Sequence, residues 1–177
     1  MRAANFRRVT AKPAWGNAGT HIGGALLDLH IHDTDFVNFL FCRPAAVFST
    51  GATDAAGNVD HVVTQYIYPN GPAVHAEGNW LLPDGFNMGF TLHCERATID
   101  FDLARGGEAL QLHSAGKKPR TVRLKNADGY GEEIRYFIDC VARGERPTVV
   151  TPQDGATALE ICAAEEKSVR TGKVVKL

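Results

Sequence analysis

Hydrophobic spacing divides the chain into three stretches of different character. Residues 3–11 alternate in the manner of a strand that stops at Pro13. From Gly23-Gly24 to Cys42 runs an apolar-rich stretch of about twenty residues, too long for one ordinary strand of ~5–6. Leu26, Leu29, Phe36 and Leu40 recur within it near helical spacing, interrupted at Asp33, and Pro44 lies just beyond its end. Length and stop signal predict a helix. Only the short alternation from Asp28 to His32 reads as strand. The Gly23-Gly24 pair marks a close backbone approach or a helix start.

After Pro44 the period changes. Ala46–Thr50, Asp60–Tyr68, Ala73–Leu82, Asn87–Glu95, Thr98–Asp102 and Glu108–His113 read as successive strands separated by turn residues. Asn70-Gly71 is the best hairpin turn, since both residues tolerate positive φ. Short links demand antiparallel neighbours, because a parallel crossover needs a dozen or more residues. The middle of the chain therefore reads as one largely antiparallel sheet. Val62, Tyr66, Tyr68, Trp80, Phe86 and Phe90 give it at least one apolar face, on which a dimer is expected to close.

The last third is helical. Gly131–Arg143 places Ile134, Phe137, Ile138 and Val141 at helical spacing, with acids in the first turn and Arg143 in the last. Thr151 and Pro152 supply the cap and first position of a second helix, which runs to Gly172. Lys173–Leu177 reads as a short strand. The fold class is α+β, and residues 1–177 form one unit without repeat or linker.

Composition narrows the function classes. A net charge of −1 offers no electrostatic grip for nucleic acid or an anionic membrane. No run approaches the ~18–20 apolar residues of a membrane span, and the N-terminus lacks the apolar core of a signal peptide. Cys42, Cys94, Cys140 and Cys162 are widely spaced without a C-x-x-C pair, so they are expected to be reduced and mostly buried, and the chain cytoplasmic.

Five ionisable side chains crowd into residues 28–35. On a strand, Asp28, His30 and His32 share a face and resemble the Asp-x-His-x-His opening of metal-dependent amidohydrolases, in which two histidines hold zinc. Such enzymes are barrels of about 250 residues, however, and here a meander of strands follows. On a helix, Asp28, His32 and Asp35 fall at i, i+4 and i+7 on one stripe, and His30 points to the opposite side.

In the helical form, Gly23-Gly24-Ala25-Leu26-Leu27-Asp28 with Ile31-His32-Asp33 and Asp35 resembles the Gly-Gly-x-Leu-x-Asp-x-Gly-x-His-x-x-Asp motif of the glucose–fructose oxidoreductase and inositol dehydrogenase (Gfo/Idh/MocA) family. The resemblance continues through Pro44, the meander, Tyr130-x-x-Glu133, Phe137 and Pro147. It closes at Ser168-x-x-Thr171-Gly172-x-x-Val175-x-Leu177.

It implies the C-terminal domain of a two-domain oxidoreductase: an open, largely antiparallel sheet with helices packed on one face, commonly the oligomer interface. The substrate implied is a sugar, polyol or related hydroxy compound. NAD or NADP would bind in a separate Rossmann domain, with no cofactor or metal held by this chain alone. The family's catalytic His and companion Asp fall on His32 and Asp28, and Asp35 is a structural or substrate-binding carboxylate. Trp15 is a candidate substrate contact, as a packing anchor or lid. His30 departs from the usual Gly. Lys12, in Ala11-Lys12-Pro13, is read as an ordinary residue despite a superficial likeness to the family's cofactor-domain lysine.

The chemistry is coherent with the implied roles. Oxidising a secondary alcohol sends a hydride to the nicotinamide while the hydroxyl proton leaves, and an imidazole that titrates near neutrality can accept that proton. No strand followed by Gly-x-Gly-x-x-Gly and a helix occurs, so the isolated chain is expected to be inactive. The alternatives are a non-catalytic module that dimerises or binds a sugar-like ligand, and the metal hydrolase built on Asp28, His30 and His32.

Overall fold

The computed structural model describes residues 1–14, 23–123 and 128–177. Trp15 and the glycines of its loop lie outside these residues. Strands β1 (Ala3–Ala11), β2 (Ala46–Thr53), β3 (Val59–Ile67), β4 (Ala73–His93), β5 (Ala97–Asp102), β6 (Leu110–Ser114), β7 (Arg120–Thr121) and β8 (Val175–Lys176) form one open sheet. A 3-10 segment, Leu103–Glu108, links β5 to β6. The helices are α1 (Ile31–Phe41), entered through a π-helical turn at Leu26–His30, then α2 (Gly129–Arg143) and α3 (Pro152–Thr171). This is the expected α+β architecture, with α1 and α3 packed on one face of the sheet.

The sheet is largely antiparallel, with one exception that local spacing did not predict. Ala73–Leu82 and Asn87–Glu95 read as hairpin partners, yet the observed β4 is one long bent strand whose two arms are held apart by β1. β1 runs parallel to the first arm, Ala3 opposite Ala73 through Val9 opposite Asn79. Against the second arm its register runs the other way, Ala3 opposite His93 through Val9 opposite Asn87. The Pro83-Asp84-Gly85 tip therefore spans a strand's width, and the N-terminal strand lies at the centre of the sheet. At the other predicted turn, Asn70 alone takes a positive φ (60°), and Gly71 N–H donates to the Tyr68 carbonyl at 2.9 Å.

Side chains alternate cleanly across this frame. One row reads Val47, Tyr66, Val74, Ala4, Leu92, Ile99 and Leu112 across neighbouring strands. With Val37 of α1 and Ile161 and Ala164 of α3 it builds the main core. Each large apolar side chain fully buried there contributes roughly 1.5–3 kcal/mol. Phe36 of α1 packs edge-on against Phe6 and Phe90, with ring centroids 5.7 and 5.4 Å apart.

The adjacent row, on the opposite face, reads Gln65, His75, Asn5, Thr91, Asp100 and Gln111. The open face is thus polar, not the apolar surface on which a dimer was expected to close. It forms a shallow saddle of about 510 Å³ that Arg7, Glu77 and Asp102 also line.

Local signals explain the ends of the elements. Thr151 and Asp154 form a reciprocal capping box at the start of α3, and Gly172 ends it in the left-handed region. Gly24 has φ +67°, and a Cβ there would lie 2.4 Å from the Val59 carbonyl oxygen. The glycine pair therefore serves both expected purposes, the helix start and a close approach to β3. Of the cysteines, Cys140 and Cys162 are buried, Cys94 is half-buried and Cys42 exposed, which corrects the expectation that most are buried; all four are free. Among the described residues no helix is long and apolar enough to cross a membrane.

Gly24→Ala is expected to destabilise the chain by about 1–3 kcal/mol, because it adds both a forbidden φ and a backbone clash; the midpoint of urea unfolding measures it. A second expectation concerns acid. Desolvation raises the Asp54 carboxyl, but the Asn58 backbone N–H, Lys12 and the Asn58 side chain outweigh it and hold the group at about 2, below its ordinary 3.8. A carboxyl lowered on folding stabilises above its unfolded value, and that contribution disappears as pH falls through about 2. Asp54→Asn should therefore lower Tm at pH 6, and the gap to the parent should close as pH drops from 4 towards 2.

Candidate functional site

The conspicuous stretch around Asp28 is helical throughout, and its two histidines part company. The backbone N–H of Ile31 bonds to the Leu26 carbonyl, five residues back, which defines the π turn. Such single wide turns recur at functional sites. From Ile31 onward the helix is regular, and Cys42, at φ 62°, ends it with its N–H on the Asn38 carbonyl. His32 is exposed, whereas His30 is wholly buried. The strand geometry that a zinc reading of Asp28, His30 and His32 requires is therefore absent, and that reading is set aside. Among the described residues no group of three His, Cys, Asp or Glu side chains is placed to hold a metal ion.

On the outer side of the helix, His32 and Asp35 are three residues apart within regular α-helix and so share a face. Asp28, half-buried, precedes His32 by the width of the π turn. Burial raises the Asp35 carboxyl, the nearby Asp154 carboxylate raises it further, and His32 opposes both. Asp35 lines a cavity of about 240 Å³ with Phe36, Phe39, Val149, Val150 and Asp154. An exposed imidazole beside carboxylates, next to a partly apolar cleft, can pass a proton to or from a hydroxyl group held there.

The inner side holds groups that sequence reading did not connect. His30 Nε2 lies 3.4 Å from Glu165 Oε1 of α3 and 3.3 Å from the Tyr66 hydroxyl of β3. Thr34 Oγ1 is 2.8 Å from the same hydroxyl and donates to Glu165 at 3.4 Å. All four residues are fully buried. Burial, and then the neighbouring Glu165, push the Tyr66 phenol well above its ordinary value. His30 therefore ties the turn bearing Asp28 to both the sheet and α3.

Its imidazole occupies space where the family motif has a small residue. Gly78 on β4 provides that space: a Cβ there would lie 2.6 Å from His30 Cβ and 2.9 Å from Nδ1. A signal for Glu165 was available, because Ala158, Ile161, Cys162, Glu165 and Ser168 form the buried stripe of α3 and a carboxylate interrupts it. None existed for Gly78.

Two further ion pairs fasten the same region. Arg8 of β1 reaches Asp33 through both Nε and Nη2, at 3.3 and 3.1 Å. Burial outweighs this pairing and leaves the Asp33 carboxyl raised. Lys12 is less ordinary than its sequence context suggested. Its Nζ contacts Asp60 at 2.8 Å and Asp54 at 3.1 Å, and stands 5.7 Å from the centre of the Trp80 ring.

Residues 1–100 match the model of the GFO/IDH/MocA C-terminal domain. The chain belongs to that family. It is 24% identical over 167 residues to the scyllo-inositol 2-dehydrogenase (NAD(+)) of Bacillus subtilis, covering 89% of this chain and 48% of that protein. To the myo-inositol 2-dehydrogenase of Thermotoga maritima it is 26% identical over 166 residues, covering 88% and 49%. The chain thus spans about half the length of the curated relatives it matches.

Among solved structures, a levoglucosan dehydrogenase in complex with NADH and levoglucosan superposes with a TM-score of 0.79 at 20% identity, covering 99% of this chain and 58% of that one. GenD2 from gentamicin A biosynthesis, in complex with NAD, gives a TM-score of 0.78 at 23% identity over 99% of this chain and 55% of its own. At these identities the likeness is one of fold, and it matches the sheet and helices described above.

The space shared by His30 and Gly78 predicts a coupled pair. Gly78→Ala alone should destabilise by about 1–3 kcal/mol through overpacking. In a His30→Gly background the same substitution should be close to neutral. A double-mutant cycle from urea unfolding measures the coupling, and additive effects would contradict the contact.

Proposed function

We propose that this chain is the substrate-binding and proton-transfer half of an NAD- or NADP-dependent oxidoreductase acting on a sugar, polyol or related hydroxy compound. The observation that carries the reading is the arrangement of the family motif. Its exposed histidine, His32, shares a helix face with Asp35, follows Asp28 by the π turn, and stands beside a cleft. The names of the inositol dehydrogenases, each about twice as long as the matched region, support the reaction class and substrate type.

The chain's own part is proton handling and substrate orientation. His32 accepts the hydroxyl proton as the alcohol is oxidised and returns it in reduction. Asp28 orients the imidazole or stabilises its charged form, and Asp35 holds a substrate hydroxyl at the cleft. The residues described do not fit a dinucleotide. Gly24 before α1 lies against the Val59 backbone and Gly23 against the Leu27 side chain, so the pair offers no cradle for phosphate. In this reading a separate unit supplies the cofactor and residues 1–177 act as the C-terminal domain, supported by the half of each curated relative that lies outside the matched region. The open sheet face, a row of amides and charged groups, is the surface proposed for self-association.

The test uses the enzyme assembled with its dinucleotide-binding half and a panel of cyclic polyols and sugars. His32→Ala should lower kcat by about 10²–10⁴-fold with a smaller change in KM, and should remove the near-neutral limb of the pH profile. Asp35→Asn should act mainly on KM. Unchanged kcat in His32→Ala, or NAD(P)-dependent turnover by the 177-residue chain alone, would sink the proposal.

A further inference from the structure

Glu165 interrupts the buried stripe of α3 with a carboxyl group that has no exposure to solvent. A carboxylate in that position needs a cation or a proton close by. Among the described residues, the basic nitrogen within ion-pair reach of it is His30 Nε2, at 3.4 Å. Neither residue has a part in the proton transfer assigned to His32. Their pairing under the turn that precedes His32 nevertheless bears on it.

The His30 ring is held by polar contacts on one side only. Nε2 meets Glu165 and the Tyr66 hydroxyl, whereas Nδ1 has no protein partner among the described residues. Nδ1 stands instead against Gly78, 2.9 Å from where a Cβ would lie. Glu165 and Tyr66 therefore orient the imidazole. The carboxylate itself has a firm support. Thr34 donates to it at 3.4 Å, and Ser168, the next residue of the α3 stripe, accepts the Ser49 N–H of β2 at 2.8 Å.

What the ring anchors is the wide turn. His30 is its last residue, and Asp28 lies inside it. A π turn gives up the ordinary i→i+4 pattern, so it persists where tertiary contacts hold it. Tightening it into α-helix rotates Asp28 about the helix axis relative to His32. We propose that Glu165, acting through His30, is a positioning residue: it fixes the π turn and with it the placing of Asp28 beside His32. This rests on the reading that His32 and Asp28 handle the proton. Glu165 and His30 are wholly buried, so their effect reaches the substrate only through the backbone they hold.

The experiment compares variants of the enzyme assembled with its dinucleotide-binding half, each assayed well below its own Tm. Glu165→Leu should lower kcat by about 10–10²-fold and change KM far less, because misplaced reacting groups act on the chemical step. Glu165→Gln, whose amide oxygen still accepts from the ring, should restore most of the parental kcat. Ile161→Val, in the same buried stripe, should lower Tm and leave kcat unchanged. Hydrogen exchange in the peptide spanning residues 26–32 should quicken more in Glu165→Leu than in Ile161→Val. Tyr66→Phe removes one contact to the ring at nearly constant shape and should lower kcat in the same direction, which supplies the readout if Glu165→Leu does not fold. Parental kcat in Glu165→Leu, or in Tyr66→Phe where the former is unfolded, overturns the positioning role, and so does a Gln variant as slow as Leu. In each case a slow His32→Ala leaves the proposed function standing. If His32→Ala also keeps the parental kcat, the functional reading fails and the positioning role with it.

Discussion

The close approach of the α1 turn to the sheet is the constraint on which the site depends. Two glycines permit it, Gly24 against the β3 backbone and Gly78 beneath His30, and a buried histidine fills the space between. His30 meets Glu165 and Tyr66, so the turn is joined to α3 and β3 by polar contacts as well as by the apolar core. Removing one member of a buried hydrogen-bonded network leaves its partners unsatisfied and is commonly costly, by about 1–3 kcal/mol. Such a network resists small displacements of the turn. Asp28 and His32 flank His30 in sequence, so whatever holds His30 also holds the backbone that presents them.

A division of labour within the helix follows. Its inner side, Leu26, Leu29, His30, Asp33, Thr34 and Val37, is buried against β1, β3, β4 and α3. The outer side leaves His32 exposed and Asp35 at the edge of a cleft. Ionisable residues on one short stretch thus fall into two classes by environment alone. Asp33 and the Nε2 side of His30 have partners inside the protein, and His32 is exposed.

The sheet's two faces and the free stripe of α2 extend the same logic. The face under α1 and α3 is apolar, the opposite face is amide- and charge-rich, and α2 carries an exposed apolar stripe. Membership of the GFO/IDH/MocA C-terminal domain family accounts for the fold.

Much of this was legible from spacing. The length of the run from Gly23 to Cys42, with Pro44 behind it, is too great for a strand and favoured the helix that separates His30 from His32; the zinc alternative stayed open until the structure showed that helix. Thr151-Pro152-x-Asp154 and Gly172 marked both ends of α3, because capping is local chemistry. The aromatic and β-branched positions of the strands signalled an apolar face, though not that helices would cover it and leave the open face polar. What spacing could not convey is the partner across the gap. β1 lies between the arms of β4, the π turn admits a ring where a small residue is usual, Gly78 makes room for it, and Glu165 meets it from a helix more than a hundred residues away. Each depends on contacts between segments distant in sequence, which local hydrophobic period and turn preference do not encode. The sequence by itself determined most of the elements and the family to which they belong; the tertiary structure alone decided which buried polar group meets which, because pairing requires that two surfaces meet.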